Sequence, residues 1–199
     1  MTTNIDGIVL AAGFSSRAGT FKLELDLVGK PLIRHTLDRL KEFCSQLIVV
    51  GGHNMERVVA LTQDSPNTRV VFNPNFASGM FSSVKEGVKQ TSTEWFFLTP
   101  ADHPQVSPST LQKLLDAAAA EPEQSIFIPI YKGWKGHPIL MNQRIKEALL
   151  NEPQDSNLRH FITTQGSVSV LVEDEGILLD IDTMEDFQKI QKRMEQEKM

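Results

Sequence analysis

The sequence contains a single cysteine, no long apolar run and no excess of positive charge. Cys44 is the one cysteine among 199 residues and cannot form an internal disulfide, and no cysteine and histidine cluster has zinc-site spacing. A reducing compartment, the cytoplasm, is therefore expected. No stretch approaches the roughly 20 apolar residues of a membrane span, and the N-terminus lacks the basic segment of an export signal. We expect neither membrane insertion nor export.

Several common classes of function are excluded because the sequence lacks their characteristic charge or motifs. Lys and Arg number 20 against 25 Asp and Glu, giving a net charge of −5, which argues against general nucleic-acid binding. There is no G-x-G-x-x-G, and Gly29-Lys30 is followed by Pro31 instead of the Ser or Thr of a P-loop. Neither H-E-x-x-H nor G-x-S-x-G occurs, which excludes zinc proteases and serine hydrolases.

What the sequence does contain is an alternation of short apolar runs with amphipathic stretches. The apolar runs are bounded by Gly or Pro, lack polar alternation and predict parallel strands buried on both faces. They are Ile8–Ala12, Leu47–Val50, Val70–Phe72 and Trp95–Leu98. The predicted helices are one with Pro31 at its first position, Met55–Thr62, Phe81–Lys89 and Pro108–Ala120. This alternation predicts an α/β fold with a doubly wound, mostly parallel, Rossmann-like sheet, in one domain over residues 1–199.

The C-terminal half reads as a small elaboration of this fold. Two extended segments, Ile126–Tyr131 and His137–Met141, flank a glycine-containing turn. The remaining predictions are helices at Asn142–Leu150, Leu158–Thr164 and Met184–Met199, and extended chain at Val168–Val172 and Ile177–Leu179. Ligands of doubly wound sheets bind beyond the carboxyl ends of the strands. We therefore expect residues 13–19, 51–54, 73–79 and 101–104 to converge on a site.

The loop after the first strand offers an anion site. Small residues from Gly13 to Gly19 let backbone N–H groups approach a phosphate, and Arg17 and Lys22 would neutralise its charge. A surface turn that carries an Arg and a Lys is the alternative.

This loop also carries a family resemblance. Leu10-Ala11-Ala12-Gly13-x-Ser15-x-Arg17-x-Gly19-x-x-Lys22, followed by Gly29-Lys30-Pro31-Leu32, resembles the signature of the nucleotidyltransferases that make dinucleotide forms of the molybdenum cofactor. Within that group the chain most resembles the molybdenum cofactor cytidylyltransferases. Further matches follow in order along nearly the whole chain: Asn73, Gly79-Met80-x-Ser82-Ser83-Val84, Ala101-Asp102-x-Pro104, Gly136-His137-Pro138 and Asp180-Ile181-Asp182-Thr183-x-Glu185-Asp186. One departure is Ala18, where the family usually has Met.

The resemblance implies an activity. It implies transfer of CMP from CTP to the terminal phosphate of molybdopterin or the molybdenum cofactor, with release of pyrophosphate and with Mg²⁺, or Mn²⁺ in its place, as cofactor. Ala12 favours cytidine, because family members that use GTP tend to show Leu-Ala-Gly-Gly. A molybdoenzyme of the xanthine dehydrogenase class, or its chaperone, is the implied protein partner.

Other functions stay open. Within the class they are GTP use and transfer to a sugar or alditol phosphate, since one fold hosts many acceptors. The isoprenoid-pathway cytidylyltransferases share the opening motif, but Leu23-Glu24-Leu25 stands where they carry Pro-Lys-Gln. A non-catalytic protein that delivers the cofactor is the alternative from another class, and the paired carboxylates speak against it.

The resemblance assigns roles to individual residues. The expected catalytic residues are Arg17, Lys22 and Asp102, and the expected metal ligands are Asp102 and Asp182, with Asp180 as the alternative. Helix capping is the competing explanation for Asp182 and a turn cap for Asp102. The expected nucleotide-binding residues are Leu10, Ala11, Ala12, Gly13, Ser15, Arg17, Gly19, Lys22, Gly52, Asn73 and Ala101. The expected acceptor-binding residues are Ser82, Ser83, Gly136, His137 and Pro138. For Asn73, Ser82 and Ser83, local capping is the alternative.

Overall fold

The apolar runs form the centre of a mostly parallel sheet. The computed structural model describes residues 4–14 and 20–196. Its strands are β1 (Ile5–Ala11), β2 (Asp26–Leu27), β3 (Lys30–Pro31), β4 (Gln46–Gly51), β5 (Thr68–Phe72), β6 (Trp95–Pro100), β7 (Ile126–Tyr131), β8 (Trp134–Lys135), β9 (Ile139–Asn142) and β10 (Val168–Leu171).

The order of the strands is that of a doubly wound sheet. Across the main sheet it is β10-β7-β9-β6-β1-β4-β5, with β8 paired to β7, while β2 and β3 form a separate antiparallel pair. Neighbours are parallel from β6 through β1 and β4 to β5, and again between β10 and β7. Strand β9 is antiparallel to both β6 and β7. The predicted fold class is confirmed.

Helices cover both faces of the sheet. They are α1 (Leu32–Lys41), α2 (Met55–Thr62), α3 (Met80–Lys89), α4 (Pro108–Ala120), α5 (Lys146–Asn151), α6 (Leu158–Gln165) and α7 (Met184–Gln196), with 3-10 turns at Lys22–Glu24, Phe76–Ser78, Gln143–Ile145 and Glu175–Leu178. Among the described residues, no helix has the length and apolar character needed to cross a membrane.

Alternation along the central strands divides the core into two layers. Val9 of β1 packs with the apolar face of α1 and with residues of α4 and α7, whereas its neighbour Ile8 packs on the opposite face with α3, α5 and α6. Successive side chains of a strand point to opposite faces, so a strand covered on both must be apolar throughout. This explains the apolar runs at Ile8–Ala11 of β1, Leu47–Val50 of β4 and Trp95–Leu98 of β6.

The register of the parallel strands aligns their carboxyl ends. Ala11 at the end of β1 lies opposite Gly51 at the end of β4, and Gly51 lies opposite Phe72 at the end of β5. On the other side of β1, Leu10 lies opposite Pro100, the last residue of β6. The loops that follow these strands therefore leave from one edge of the sheet.

Four boundary or strand predictions are corrected by the structure. The run Val70–Phe72 is not a strand covered on both faces, because β5 is an edge strand with Arg69 and Phe72 exposed. The segment Ile177–Leu179 is not extended; its first two residues end a 3-10 turn that starts at Glu175. The predicted helix from Asn142 begins later, because Asn142 ends β9 and a 3-10 turn separates it from α5.

The fourth correction concerns Pro31. Its ψ of 141° is extended, so it caps α1 and the first helical residue is Leu32.

Candidate active site

A cavity opens where the carboxyl ends of β1 and β6 meet the loops beyond them. Its volume is about 330 Å³, within the usual range for a small-molecule site. It is lined by Leu10, Ala11, Ala12, Gly13, Phe14, Lys22, Leu23, Phe76, Ala77, Gly79, Met80, Ser83, Pro100, Ala101, Asp102 and Asp182. Described residues from three of the four expected loops, 13–19, 73–79 and 101–104, line this cavity, while the fourth, 51–54, contributes no lining residue and places His53 against Phe14.

Many of the residues expected from sequence lie on this wall. They are Leu10, Ala11, Ala12, Gly13, Lys22, Ser83, Ala101, Asp102 and Asp182. Ser15, Arg17 and Gly19 lie outside the described residues. The roles assigned to these side chains in binding or catalysis stay predictions.

Lys22 joins the two carboxylates on the cavity wall. Its Nζ lies 2.6 Å from Oδ2 of Asp102 and 3.3 Å from Oδ1 of Asp182. The side chains of Lys22 and Asp102 are only 13% and 16% exposed, and that of Asp182 is 29% exposed. The ammonium thus neutralises part of the negative charge that these two carboxylates bring to the cavity wall.

Asp102 is placed by the end of β6. The strand stops at Pro100, and the N–H of Ala101 donates to the carbonyl of Leu10 at 3.0 Å, which fixes the start of the turn against β1. The carbonyl of Asp102 accepts from the N–H of Ile181 at 3.2 Å. This bond holds the turn that carries Asp102 beside the segment that carries Asp182.

Thr183, and not its neighbour Asp182, caps helix α7. Thr183 Oγ1 accepts from the N–H of Asp186 at 3.2 Å, and Asp186 Oδ2 accepts from the N–H of Thr183 at 2.9 Å. This reciprocal pair is a capping box for α7, and the hydrogen bonds from Thr183 lower the pKa of Asp186. Asp182 therefore lines the cavity while Thr183 caps the helix. Asp180 is exposed and is not part of the cavity wall.

The donor set fits a hard divalent cation that also binds substrate. Oδ1 of Asp102 is buried and has no hydrogen-bond partner among the described residues. Within those residues no group of three or more His, Cys, Asp or Glu side chains could hold a metal ion. Mg²⁺ is commonly bound by one or two carboxylates together with substrate phosphates and water. Asp102 and Asp182 suit that kind of site better than a closed metal cage.

Asn73 and Ser82 hold the loop between β5 and α3. The buried Asn73 donates from Nδ2 to the hydroxyls of Ser82 and Ser83 at 2.8 and 2.9 Å. Its Oδ1 accepts from the N–H of Asn75 at 2.9 Å, and Ser82 Oγ lies 2.8 Å from the carbonyls of Asn75 and Gly79. These contacts are those of a loop brace, and of the three predicted residues Ser83 lies on the cavity wall.

Gly136, His137 and Pro138 lie behind the cavity wall, not on it. A Cβ on Gly136 would lie 2.3 Å from the carbonyl oxygen of Ile177, so glycine is required for this close approach. The imidazoles of His137 and His103 stand edge to face, 5.2 Å apart. Desolvation lowers the pKa of both, for His137 to about 3, where charge on His103 adds to the effect. Both rings are therefore neutral near pH 7.

The aromatic side of the cavity was not among the features predicted from sequence. The ring of Phe14, 51% exposed, lies 5.0 Å from the ring of His53 and 5.5 Å from that of Phe76. Gly52 allows this packing, since a Cβ there would lie within 3 Å of Ala12 and Phe76. An aromatic residue in the otherwise polar loop after Asn73 was the available signal.

The mostly parallel sheet and the cavity at its carboxyl edge place the chain in the class of α/β proteins that bind ligands beyond their strand ends. The family model for the MobA-like NTP transferase domain matches residues 7–169. The chain therefore belongs to the MobA-like NTP transferase family.

Relatives and solved structures agree with that assignment. The chain is 31% identical over 183 residues to the molybdenum cofactor cytidylyltransferase of Escherichia coli, covering 92% of this chain and 93% of the relative. It is 26% identical over 198 residues to the molybdenum cofactor guanylyltransferase of Haemophilus influenzae, covering 95% and 98%. Rv0371c of Mycobacterium tuberculosis superposes with a TM-score of 0.80 at 26% identity, covering 96% and 99%, and has also been solved in complex with manganese.

Proposed function

We propose that this protein transfers CMP from CTP to the terminal phosphate of a molybdopterin-type cofactor and releases pyrophosphate. The observation that carries the proposal is the meeting of Lys22, Asp102 and Asp182 on the wall of a cavity at the carboxyl edge of the sheet. Membership of the MobA-like family and the similarity to a cytidylyltransferase over nearly the whole chain support it.

The reaction requires that the acceptor phosphate and CTP be aligned and that the negative charge of their phosphates be neutralised. A phosphate oxygen of the acceptor attacks the α-phosphorus of CTP, the bond to the bridging oxygen of the β-phosphate breaks, and pyrophosphate leaves with that electron pair. A phosphomonoester has a second pKa of about 6, so the nucleophile is already ionised at neutral pH. No general base is then required. Positioned cations do the remaining work.

Each part of the cavity has a proposed role in this reaction. Lys22, together with Arg17, would neutralise the transferring phosphates, and the backbone from Leu10 to Gly13 would approach the nucleotide. Asp102 and Asp182 would hold Mg²⁺, for which Mn²⁺ can substitute. When bound, the cation would neutralise and orient phosphate oxygens. The product would serve a molybdoenzyme of the xanthine dehydrogenase class.

Ala12 is the residue proposed to set base choice. A Cβ on Gly52 would lie 2.8 Å from the methyl carbon of Ala12 and 2.7 Å from the Cβ of Phe76, so the surroundings of Ala12 are closely packed on the side of Gly52. Replacing Ala12 with Gly should enlarge this end of the cavity for a purine and raise kcat/KM for GTP relative to CTP by about tenfold, the usual scale for one methyl group in a pocket. Steady-state kinetics with both nucleotides measure the ratio. An unchanged ratio would remove Ala12 from base selection.

The function is tested by measuring pyrophosphate release with Mg²⁺ and purified molybdenum cofactor, in parallel with CTP, GTP, ATP and UTP. We expect release with CTP far above the other three. Release mainly with GTP would keep the mechanism and overturn the base assignment. Binding of CTP without release from any of several phosphorylated acceptors would instead favour a cofactor-delivery protein.

A further inference from the structure

The turn that carries Asp102 is held from behind by a side chain of α1. Thr36 is only 3% exposed, and its Oγ1 lies 3.0 Å from the carbonyl oxygen of Ala101 and 3.3 Å from that of His103. A hydroxyl has one proton to donate, so the two carbonyls share it. These carbonyls belong to the residues on either side of Asp102.

The same turn is fixed from two other directions by backbone bonds. The N–H of Ala101 donates to Leu10 of β1, and the carbonyl of Asp102 accepts from Ile181 next to Asp182. Thr36 adds a third tie, from α1. Together the three ties set where the Asp102 backbone lies relative to β1 and to the second carboxylate.

The position of this backbone matters because the carboxylate has few other restraints. Oδ2 of Asp102 pairs with Lys22, whose long side chain can rearrange, and Oδ1 has no partner among the described residues. Mg²⁺ and cations like it demand near-ideal coordination geometry and bind poorly when a ligand is misplaced. The groups that orient a ligand typically contribute as much as ten- to a hundredfold in metal affinity.

We propose that Thr36 is a positioning residue, which places the Asp102 carboxylate for the divalent cation through its shared hydrogen bond to Ala101 and His103. The inference rests on the proposed function, because it assumes that Asp102 is a metal ligand. Thr36 itself does not line the nucleotide cavity and makes no contact with substrate in the proposal.

The test compares Thr36→Val, which keeps the shape and removes the hydroxyl, with Thr36→Ser, which keeps the hydroxyl. Titration of Mn²⁺ into the intact protein, followed by electron paramagnetic resonance of the free ion, gives a dissociation constant independent of turnover. We expect binding about tenfold weaker in Thr36→Val and within about twofold of the parent in Thr36→Ser. In Thr36→Val kcat should fall while the KM for CTP changes little, and Thr36→Ser should keep both near their parent values.

Thr91 supplies a matched control. It is also 3% exposed, and its Oγ1 also lies near two acceptors, the carbonyl of Val88 at 2.9 Å and Oε1 of Gln143 at 3.0 Å. It precedes β6, at the end of the sheet opposite the cavity. Thr91→Val should lower the thermal stability as Thr36→Val does and leave Mn²⁺ affinity unchanged.

The possible outcomes distinguish the positioning role of Thr36 from the existence of the metal site. Parent-like Mn²⁺ affinity in Thr36→Val, or equal weakening in Thr91→Val, would overturn the positioning role and leave the metal site intact. Absence of Mn²⁺ binding by the parent protein, with and without CTP, would overturn the metal site and the role of Thr36 with it. If Thr36→Val does not fold, Thr36→Ala removes the same hydroxyl without adding a methyl group, and the same criteria apply.

Discussion

Replacement of Asp102 with Asn is expected to lower kcat by about 10³-fold. The substitution preserves the size of the side chain but removes the negative charge that faces both Lys22 and the proposed cation. Loss of one group that stabilises transition-state charge typically costs 10²- to 10³-fold, and here two interactions are lost together. Steady-state kcat with CTP and Mg²⁺, together with the Mn²⁺ dissociation constant of the nucleotide complex, measure the effect.

Asp182 and Asp180 provide graded comparisons for this prediction. Asp182→Asn should reduce kcat less than Asp102→Asn, because its side chain is more exposed and lies farther from Lys22 Nζ. Asp180→Asn should leave turnover unchanged, since Asp180 is outside the cavity wall. Unchanged Mg²⁺-dependent turnover in Asp102→Asn would remove Asp102 from the site, and a large loss in Asp180→Asn would reassign the second ligand.

The elements that sequence predicted best are those with strong local signals. The bounds of α2 and α4 agree with prediction to the residue, and Ser107 caps α4 with Pro108 at its first position. The centres of strands β1, β4 and β6 are apolar because helices pack on both of their faces. The residue types along such elements follow directly from their burial, so composition and spacing are enough to predict the elements from sequence.

The errors fall where neighbours decide the structure. Val70-Val71-Phe72 is as apolar as a central run, yet β5 is an edge strand because no strand pairs with its outer side among the described residues. At Glu175–Leu178 the chain turns because the side chain of Asp174 accepts from the N–H of Gly176 at 2.9 Å. Pairing partners and caps of this kind come from distant or polar residues that an apolar pattern does not reveal.

The sequence predicted which residues form the site but not how their charges pair. The family resemblance predicted that Lys22, Asp102 and Asp182 share one site, although Asp102 is 80 residues and Asp182 is 160 residues from the lysine. It assigned Lys22 to the phosphates and the carboxylates to a metal. The structure shows Lys22 pairing with both carboxylates, an arrangement that neither assignment contained. Thr36 carried only the weak signal of a polar residue on a buried helix face.

The pairing of Lys22 with both carboxylates predicts two opposite effects for Lys22→Met. Without nucleotide, Mn²⁺ affinity should rise by about tenfold, because the ammonium that competes with the cation for both carboxylates is gone. With CTP and acceptor present, kcat should fall by about 10²-fold, because the transferring phosphates lose a cation. Mn²⁺ titration of the free protein and steady-state kinetics of the same preparation measure the two effects.

Lys30→Met is the matched control for that experiment. Lys30 pairs with Asp38 at 2.5 Å but lies outside the cavity, so its removal should change neither Mn²⁺ affinity nor kcat. Weaker Mn²⁺ binding in Lys22→Met would mean that the lysine organises the carboxylates for the cation instead of competing with it. Retained turnover in Lys22→Met would contradict its proposed role on the phosphates. The opposed signs distinguish a lysine exchanged between carboxylates and substrate from one that only stabilises the fold, because a purely structural loss would lower both quantities.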